Sequence, residues 1–411
     1  MSSSSAASYR AVLQVPLAGR TFGAALVGRL SYGVVPLSLI LAFTQATGSY
    51  GTAGGAMALF GLTSSLLSPI RARLIDRHGI RRVLPAMAVA YALSLTLIAV
   101  LTWRPGASGA VLWPLAGVAG ALTPPLGPIM RTLWRDLLPE GPLLHRAYSL
   151  DTVAEELLYV TGPLIAGLVT GLAQPALGVV ISAALVTAGS LALVTSPATR
   201  SRQVVGGPSV RGRAGALAGL GRPVLVTAGV GMCLGSLGLL MVAFAERHGQ
   251  IAAVAWVEAA LAAGSAVGGL AYGAVSWRLG LERRLPLLAA ALGVCLVAAG
   301  FAPNLVVLSL LVGVAGLFLA PALTTAYLLA DQSATADSRT QAGAWVNTAF
   351  NTGNSMGAAS AGVLVGQLSL VACFATGALP ALLGALAGLG RSRASAGTPS
   401  PSDASGATAR S

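Results

Sequence analysis

Residues 72–82 read ARLIDRHGIRR: four arginines, one aspartate and one histidine in eleven positions, with glycine at 79. On either side the charge stops. Residues 53–71 and 83–103 are mostly apolar and uncharged apart from Arg71, and each is long enough for a helix that crosses a bilayer, about 20 residues. A short basic junction between two such stretches is the pattern of a membrane protein at its headgroup boundary. Gly79 allows the tight turn that joins them.

The rest of the chain has the same character. Of 411 residues, 55% are hydrophobic and 9% charged, there are 52 glycines, and mean hydropathy is +0.79. An ordinary soluble domain carries about 25% charged residues, so a water-facing surface cannot be built here, and the hydrophobicity excludes disorder. A spanning-helix window predicts twelve segments, near 21–43, 53–71, 83–103, 110–131, 152–172, 176–195, 223–245, 250–277, 285–302, 304–330, 342–365 and 369–390. The polar start, Met1 to Ser8, and the long first apolar run argue against a cleaved signal peptide.

All 25 basic residues are arginine. Alternate junctions hold most of them: Arg10 and Arg20, five in 71–82, three in 131–146, five in 200–222, three in 278–284, Arg339 and three in the tail. The opposite junctions hold Arg104 and Arg247, and Arg29 falls inside a segment. The positive-inside rule then predicts a multi-pass membrane protein with both termini cytoplasmic. The net charge of +13 is a topology signal, and no nucleic-acid partner is expected. Trp103 and Trp113 bracket one outer turn, while Trp134, Trp277 and Trp345 are expected in the inner interfacial belt. Cys233, Cys295 and Cys373 lie in apolar stretches without metal or disulfide spacing, so packing is their expected role.

Residues 196–222, SPATRSRQVVGGPSVRGRAGALAGLGR, form the one long polar connector. It divides the chain into a first six-helix bundle (1–195), a cytoplasmic linker (196–222), a second bundle (223–390) and a disordered cytoplasmic tail (391–411). The halves repeat each other weakly. Ala72–Asp76–Arg77–Gly79–Arg82 aligns with Gly273–Trp277–Arg278–Gly280–Arg283, and TGPLIAG (161–167) with MGAASAG (356–362). Parallel six-helix repeats are a transporter architecture that holds substrate between the halves.

Residues 72–82 resemble the loop motif of the major facilitator superfamily, G-x-L-a-D-R-x-G-R-R. Leu74, Asp76, Arg77, Gly79, Arg81 and Arg82 match, with Ala72 in place of the leading glycine and Ile80 in place of a basic residue. PPLGPIMRTLW (124–134) and AYSLDTVAEELLYVTGPLIAG (147–167) look like a branch of actinobacterial efflux permeases, which implies a bacterial cytoplasmic membrane. The resemblance covers residues 15–390 and implies an all-α membrane protein of twelve transmembrane helices in two pseudo-symmetric six-helix bundles. It also implies that Asp76 faces the start of the eleventh helix, near Thr340–Ala344, where a carboxylate meets free N–H groups and the positive dipole end. The other reading of Asp76 is a solvated loop carboxylate beside arginines. Gly162–Pro163 resembles part of the helix-5 motif of proton-coupled antiporters and is either a bend or a packing contact.

Ionisable groups at membrane depth point to function. Arg29 either binds an anionic or polar solute or pairs with a carboxylate. Asp151 and Glu155 are expected in the first turn of the fifth helix as gate or ion-pair groups. Glu156 shares a face with Tyr159 and is a proton-carrier candidate. Glu258, two turns into the eighth helix, either exchanges a proton or is a satisfied interhelical group. Asn347, Asn351 and Asn354 fall on one helix face and either line a cavity or bond between helices. Pro124, Pro125 and Pro128 predict a kink beside the cavity, and Arg131, ending that helix, either joins the Asp76 cluster or has a structural role, the safer reading.

These readings converge on a secondary active transporter, a monomer in lipid, that exports a small organic solute by alternating access in exchange for protons. Uptake or uniport of a sugar or metabolite is the alternative, and a non-transporting scaffold a more distant one. No cofactor is expected, since the chain has no phosphate-binding loop, and no catalytic or metal constellation forms around His78, His145 and His248.

Overall fold

The computed structural model describes residues 8–138, 140–199, 219–250, 253–335 and 338–394. Among them the regular structure is helical, without a strand. A short α1 (Tyr9–Gln14) precedes α2 (Ala18–Thr47), α3 (Tyr50–Leu66), α4 (Ser68–His78), α5 (Ile80–Leu101), α6 (Gly109–Leu122), α7 (Leu126–Leu137), α8 (Pro142–Leu172) and α9 (Pro175–Thr195). After residues 200–218, which lie outside the described residues and hold most of the predicted linker, come α10 (Gly221–Arg247), α11 (Val254–Ala274) and α12 (Leu281–Ala299). The chain then forms α13 (Leu305–Ser333), α14 (Arg339–Leu364) and α15 (Leu370–Ala394). The predicted disordered tail lies outside the described residues from 395 on, and α15 covers its first four positions.

A helix or a pair of helices covers each predicted segment. Among the described residues nine are long and apolar enough to cross a membrane, or ten if the bent pair α3–α4 counts as one span. The predicted twelve is therefore ten by this measure. Helix α12 falls short because Glu282, Arg283 and Arg284 occupy its first turn, and α14 because Gln341 and three asparagines dilute its apolar face.

Proline shapes the breaks. Thr123–Pro125 separates α6 from α7, since two successive prolines remove donors and push the preceding residue away from helical geometry. The bend of 41° between α3 and α4 falls at Leu67, just before Pro69 in the first turn of α4. Residues 72–78, expected as a junction, are thus helical, and the turn narrows to Gly79 at φ 85°, a value that favours glycine. Helix α8 begins at Pro142, ten residues before the predicted start, which places Asp151 and Glu155 well beyond the first turn.

The helices sort into two groups by contact. Within the first, α2 packs on α8 and α9, α3 on α6, and α5 on α9; within the second, α10 packs on α14 and α15, α11 on α13, and α12 on α15. Backbones touch at the closest crossings. A Cβ on Gly162 of α8 would overlap the Gly33 backbone of α2, and one on Gly357 of α14 would overlap the Met232 backbone of α10. The pair that aligned in the sequence repeat, Gly162 and Gly357, thus makes equivalent crossings in both groups. Helix α8 runs unbroken through Gly162–Pro163. Such contacts let helices associate in lipid, where dispersion and close approach replace the hydrophobic effect.

One tryptophan departs from the belt. Trp134 is fully buried and tilts against Phe22 at 5.3 Å, because α7 turns inward after the proline break. Trp103, Trp113, Trp277 and Trp345 are exposed. Cys233 and Cys373 are buried and Cys295 is half-buried.

Gly162→Ala should cost about 1–3 kcal/mol through overpacking and lower the melting temperature in detergent. Gly167→Ala, one turn on and facing open space, should melt like the parent; equal melting of both variants would contradict this crossing.

Candidate functional site

Four charges from three helices meet inside the first group. Arg29 lies eleven residues into α2, about 16 Å along its axis, and its guanidinium donates to Asp151 Oδ1 at 2.8 Å and reaches Glu155 Oε2 at 2.8 Å. Arg131 of α7 approaches Asp151 Oδ2 with Nε at 3.1 Å and pairs with the same Glu155 oxygen. Asp151 is completely buried, Arg29 is 2% exposed, and the Glu155 side chain is 19% exposed. Of the two readings open for Arg29, pairing with carboxylates is the one the geometry holds. Arg131, left between the Asp76 cluster and a structural role, sits in this cage, and its guanidinium covers the Tyr327 ring of α13 at 3.4 Å. Gly127 keeps the backbone close: a Cβ there would lie 3.3 Å from Glu155 Oε1 and 3.4 Å from Arg131 Nη1.

Above the cage is a cavity of about 260 Å³. Its walls come from α2 to α8 on one side and from Asn347 and Asn351 of α14 on the other. Glu155 and Tyr159 reach it, as do Pro124, Pro125 and Pro128 of the break between α6 and α7. Asn354 is not among the lining residues; its backbone packs against Gly231 and Gly235 of α10. Asn347 Oδ1 accepts from Tyr327 at 3.4 Å, which ties this wall to the ring beneath Arg131.

Among the lining residues that the sequence reading missed is the one arginine on the wall. Arg71, counted among the junction arginines, is 5% exposed and lines the cavity, because α4 continues as a helix whose inner face is Ser68, Arg71, Ala72 and Ile75. The spacing of these positions, i, i+3, i+4 and i+7, was the available signal.

Toward the arginine-rich end the two groups join through polar contacts. Asp76 Oδ2 accepts the Gln341 N–H in the first turn of α14 at 2.9 Å. Thr132 and Thr340 hydroxyls are 3.1 Å apart, and Arg339 reaches Asp136 at 3.8 Å and Asp331 at 3.7 Å. Arg135 also reaches Asp331, at 3.4 Å, and Arg146 donates to the Ala274 carbonyl at 3.0 Å. Arg77, Arg81 and Arg82 are exposed around Gly79. Glu156 is half-buried in α8 beside the cage, and Glu258 is exposed on α11; neither has a hydrogen bond or ion pair among the described residues.

A family model described as Major Facilitator Superfamily matches residues 21–249. No curated protein matches the chain by sequence. Among solved structures, a bacterial homologue of the iron transporter ferroportin, in its outward-facing state, superimposes with TM-score 0.72 at 15% identity, covering 91% of this chain and 99% of that one. The human organic anion transporter MFSD10 (TETRAN) gives 0.70 at 16%, covering 90% and 97%. A variant of the E. coli fucose:proton symporter FucP gives 0.67 at 13%, covering 93% and 99%. At such identities these likenesses speak for the fold alone.

The cage makes an energetic prediction. Asp151→Leu or Arg29→Met alone strands a buried charge and should destabilise by about 3–5 kcal/mol, while the double variant should recover most of that loss. Additive losses in detergent melts would show that the two charges are not coupled.

Proposed function

As a member of the Major Facilitator Superfamily, to which this chain belongs, the protein is a secondary membrane transporter and not an enzyme, and we propose that it exports a small organic solute by alternating access in exchange for protons. The two groups of helices, residues 1–195 and 223–390, act as bodies that rock about the cavity. The arginine-rich end is the cytoplasmic one, as the positive-inside rule requires. The observation that carries this reading is the contact between Asp76 and the start of α14, which joins the two groups beyond the cavity. A carboxylate on a helix N-terminus gains from both the free N–H and the dipole, and the contact is lost when the groups part.

Protons enter through the carboxylates of α8. Asp151 and Glu155 each hold two arginines, so their charge is already spent. Glu156 holds none among the described residues and lies next to Glu155, which reaches the cavity. We assign it the coupled proton, and leave Glu258 outside the coupling path. Overlap of the solute and proton routes at Glu155 and Glu156 favours exchange, because occupation by one opposes the other. The symporter name of the E. coli neighbour supports coupling to protons within this fold.

Two outcomes follow in proteoliposomes. Asp76→Asn, which removes the negative charge from this contact while leaving an acceptor oxygen, should slow flux about tenfold or more with insertion unchanged; parental flux would remove the latch. Glu156→Gln should abolish pH-driven exchange but keep solute-for-solute exchange, whereas Glu258→Gln should preserve both. Normal pH-driven exchange in Glu156→Gln would exclude Glu156 as the proton site.

A further inference from the structure

The cavity has a cation on its wall that the cage does not neutralise. Arg71 donates Nη1 to the carbonyls of Gly120 at 3.0 Å and Ala121 at 2.8 Å, and Nη2 to the Ser64 carbonyl at 2.5 Å. Those three bonds use three of the five N–H donors of a guanidinium, and Nε has no partner. All three acceptors are neutral. Among the described residues no carboxylate pairs with Arg71, and the one acid on the cavity wall, Glu155, is already shared by Arg29 and Arg131. The carbonyls of Gly120 and Ala121 end α6, so Arg71 also caps that helix; capping orients the guanidinium and leaves its charge in place. A buried cation is costly until an anion or a full set of acceptors completes it.

The remaining walls describe the rest of the ligand. Phe60, Tyr91, Tyr159 and Pro124 give apolar and aromatic faces, and Asn351 gives an amide opposite. A cavity of about 260 Å³ has room for one ring with a short head group. We propose that this cavity binds a small organic monocarboxylate with an aromatic or similarly apolar body, and that Arg71 takes the carboxylate. The assignment deepens the transport reading and rests on it for the movement of the solute, though not for the binding. An inside-negative membrane potential drives an exported anion outward, by about 2.3 kcal/mol per charge per 100 mV, so export of this class agrees in sign with proton entry.

The test uses an isosteric series on the full chain in nanodiscs of phosphatidylcholine, in chloride-free sulfate buffer. Radiolabelled benzoate should bind, and benzyl alcohol and benzylamine should fail to displace it. Arg71→Gln should weaken benzoate binding about tenfold or more, as loss of a charge-assisted bond does, and Arg71→Lys should retain part of the affinity. Because Arg71 also caps α6, Gly61→Leu provides a second route: Gly61 lines the cavity and a Cβ there meets open space, so this variant should fold and exclude benzoate by volume. Equal affinity for benzyl alcohol, preference for benzylamine, or complete displacement by millimolar chloride would each overturn the assignment, as would benzoate binding undiminished in Gly61→Leu. The same probes in proteoliposomes separate the two readings. Arg71-dependent binding of benzoate without flux would sink the transport reading and keep the site. Flux of neutral solutes with no benzoate binding would sink the site and keep transport.

Discussion

Asp151 and Arg29 sit where water does not reach, and charges in such a place must neutralise one another or be expelled. The first group of helices is arranged around that requirement. Arg29 comes from the middle of α2, Arg131 from α7 just past the proline break, and both carboxylates from consecutive turns of α8. The break between α6 and α7 brings Arg131 inward, and Gly127 leaves space for the backbone to approach the cage. Buried ion networks often add little net stability compared with apolar packing, and their better attested effect is to specify one arrangement. Here the arrangement extends past its own group, because Arg131 also covers the Tyr327 ring on α13.

The two kinds of helix contact differ in chemistry. Within each group, helices meet backbone to backbone at glycine, as at Gly33–Gly162 and Gly357–Met232. Between the groups there are hydroxyl contacts, ion pairs and a capped helix start, such as Thr132–Thr340, Arg339–Asp136 and Asp76–Gln341, beside close packing of α8 on α11, where Gly269 faces Val153 and Gly273 faces Ser149. Close-packed backbone contacts resist partial opening, since a small gap forfeits much of the dispersion energy. Polar contacts can be exchanged for water at modest cost. The polar contacts at the arginine-rich end make a seam that can part there, which agrees with the alternating access proposed for this chain.

Much of this was legible in the chain. The basic junction, the apolar segments and the doubled pattern at Gly162 and Gly357 announce helices in two similar sets, and the resemblance at residues 72–82 put Asp76 opposite residues 340–344, where Gln341 meets it. What stayed hidden follows from polar residues that read as boundaries. The run HRAYSL (145–150) looked like a junction before the fifth helix, yet Arg146 and Tyr148 spend their polar groups on the Ala274 and Arg131 carbonyls, so α8 starts early and Asp151 is deep. Arg71 looked like a headgroup anchor because sequence does not reveal a bend at Leu67 that carries α4 inward. Trp134 and Arg131 were assigned to an interface for a similar reason, since α7 turns in after Pro124–Pro125.

The central claim is that the seam at the arginine-rich end must part for solute to move. With Cys233, Cys295 and Cys373 replaced by alanine, cysteines introduced as Thr132→Cys and Thr340→Cys stand where the two hydroxyls are 3.1 Å apart. Oxidation in proteoliposomes should cross-link the pair and stop flux, and reductant should restore it. Full cross-linking with undiminished flux would contradict the account.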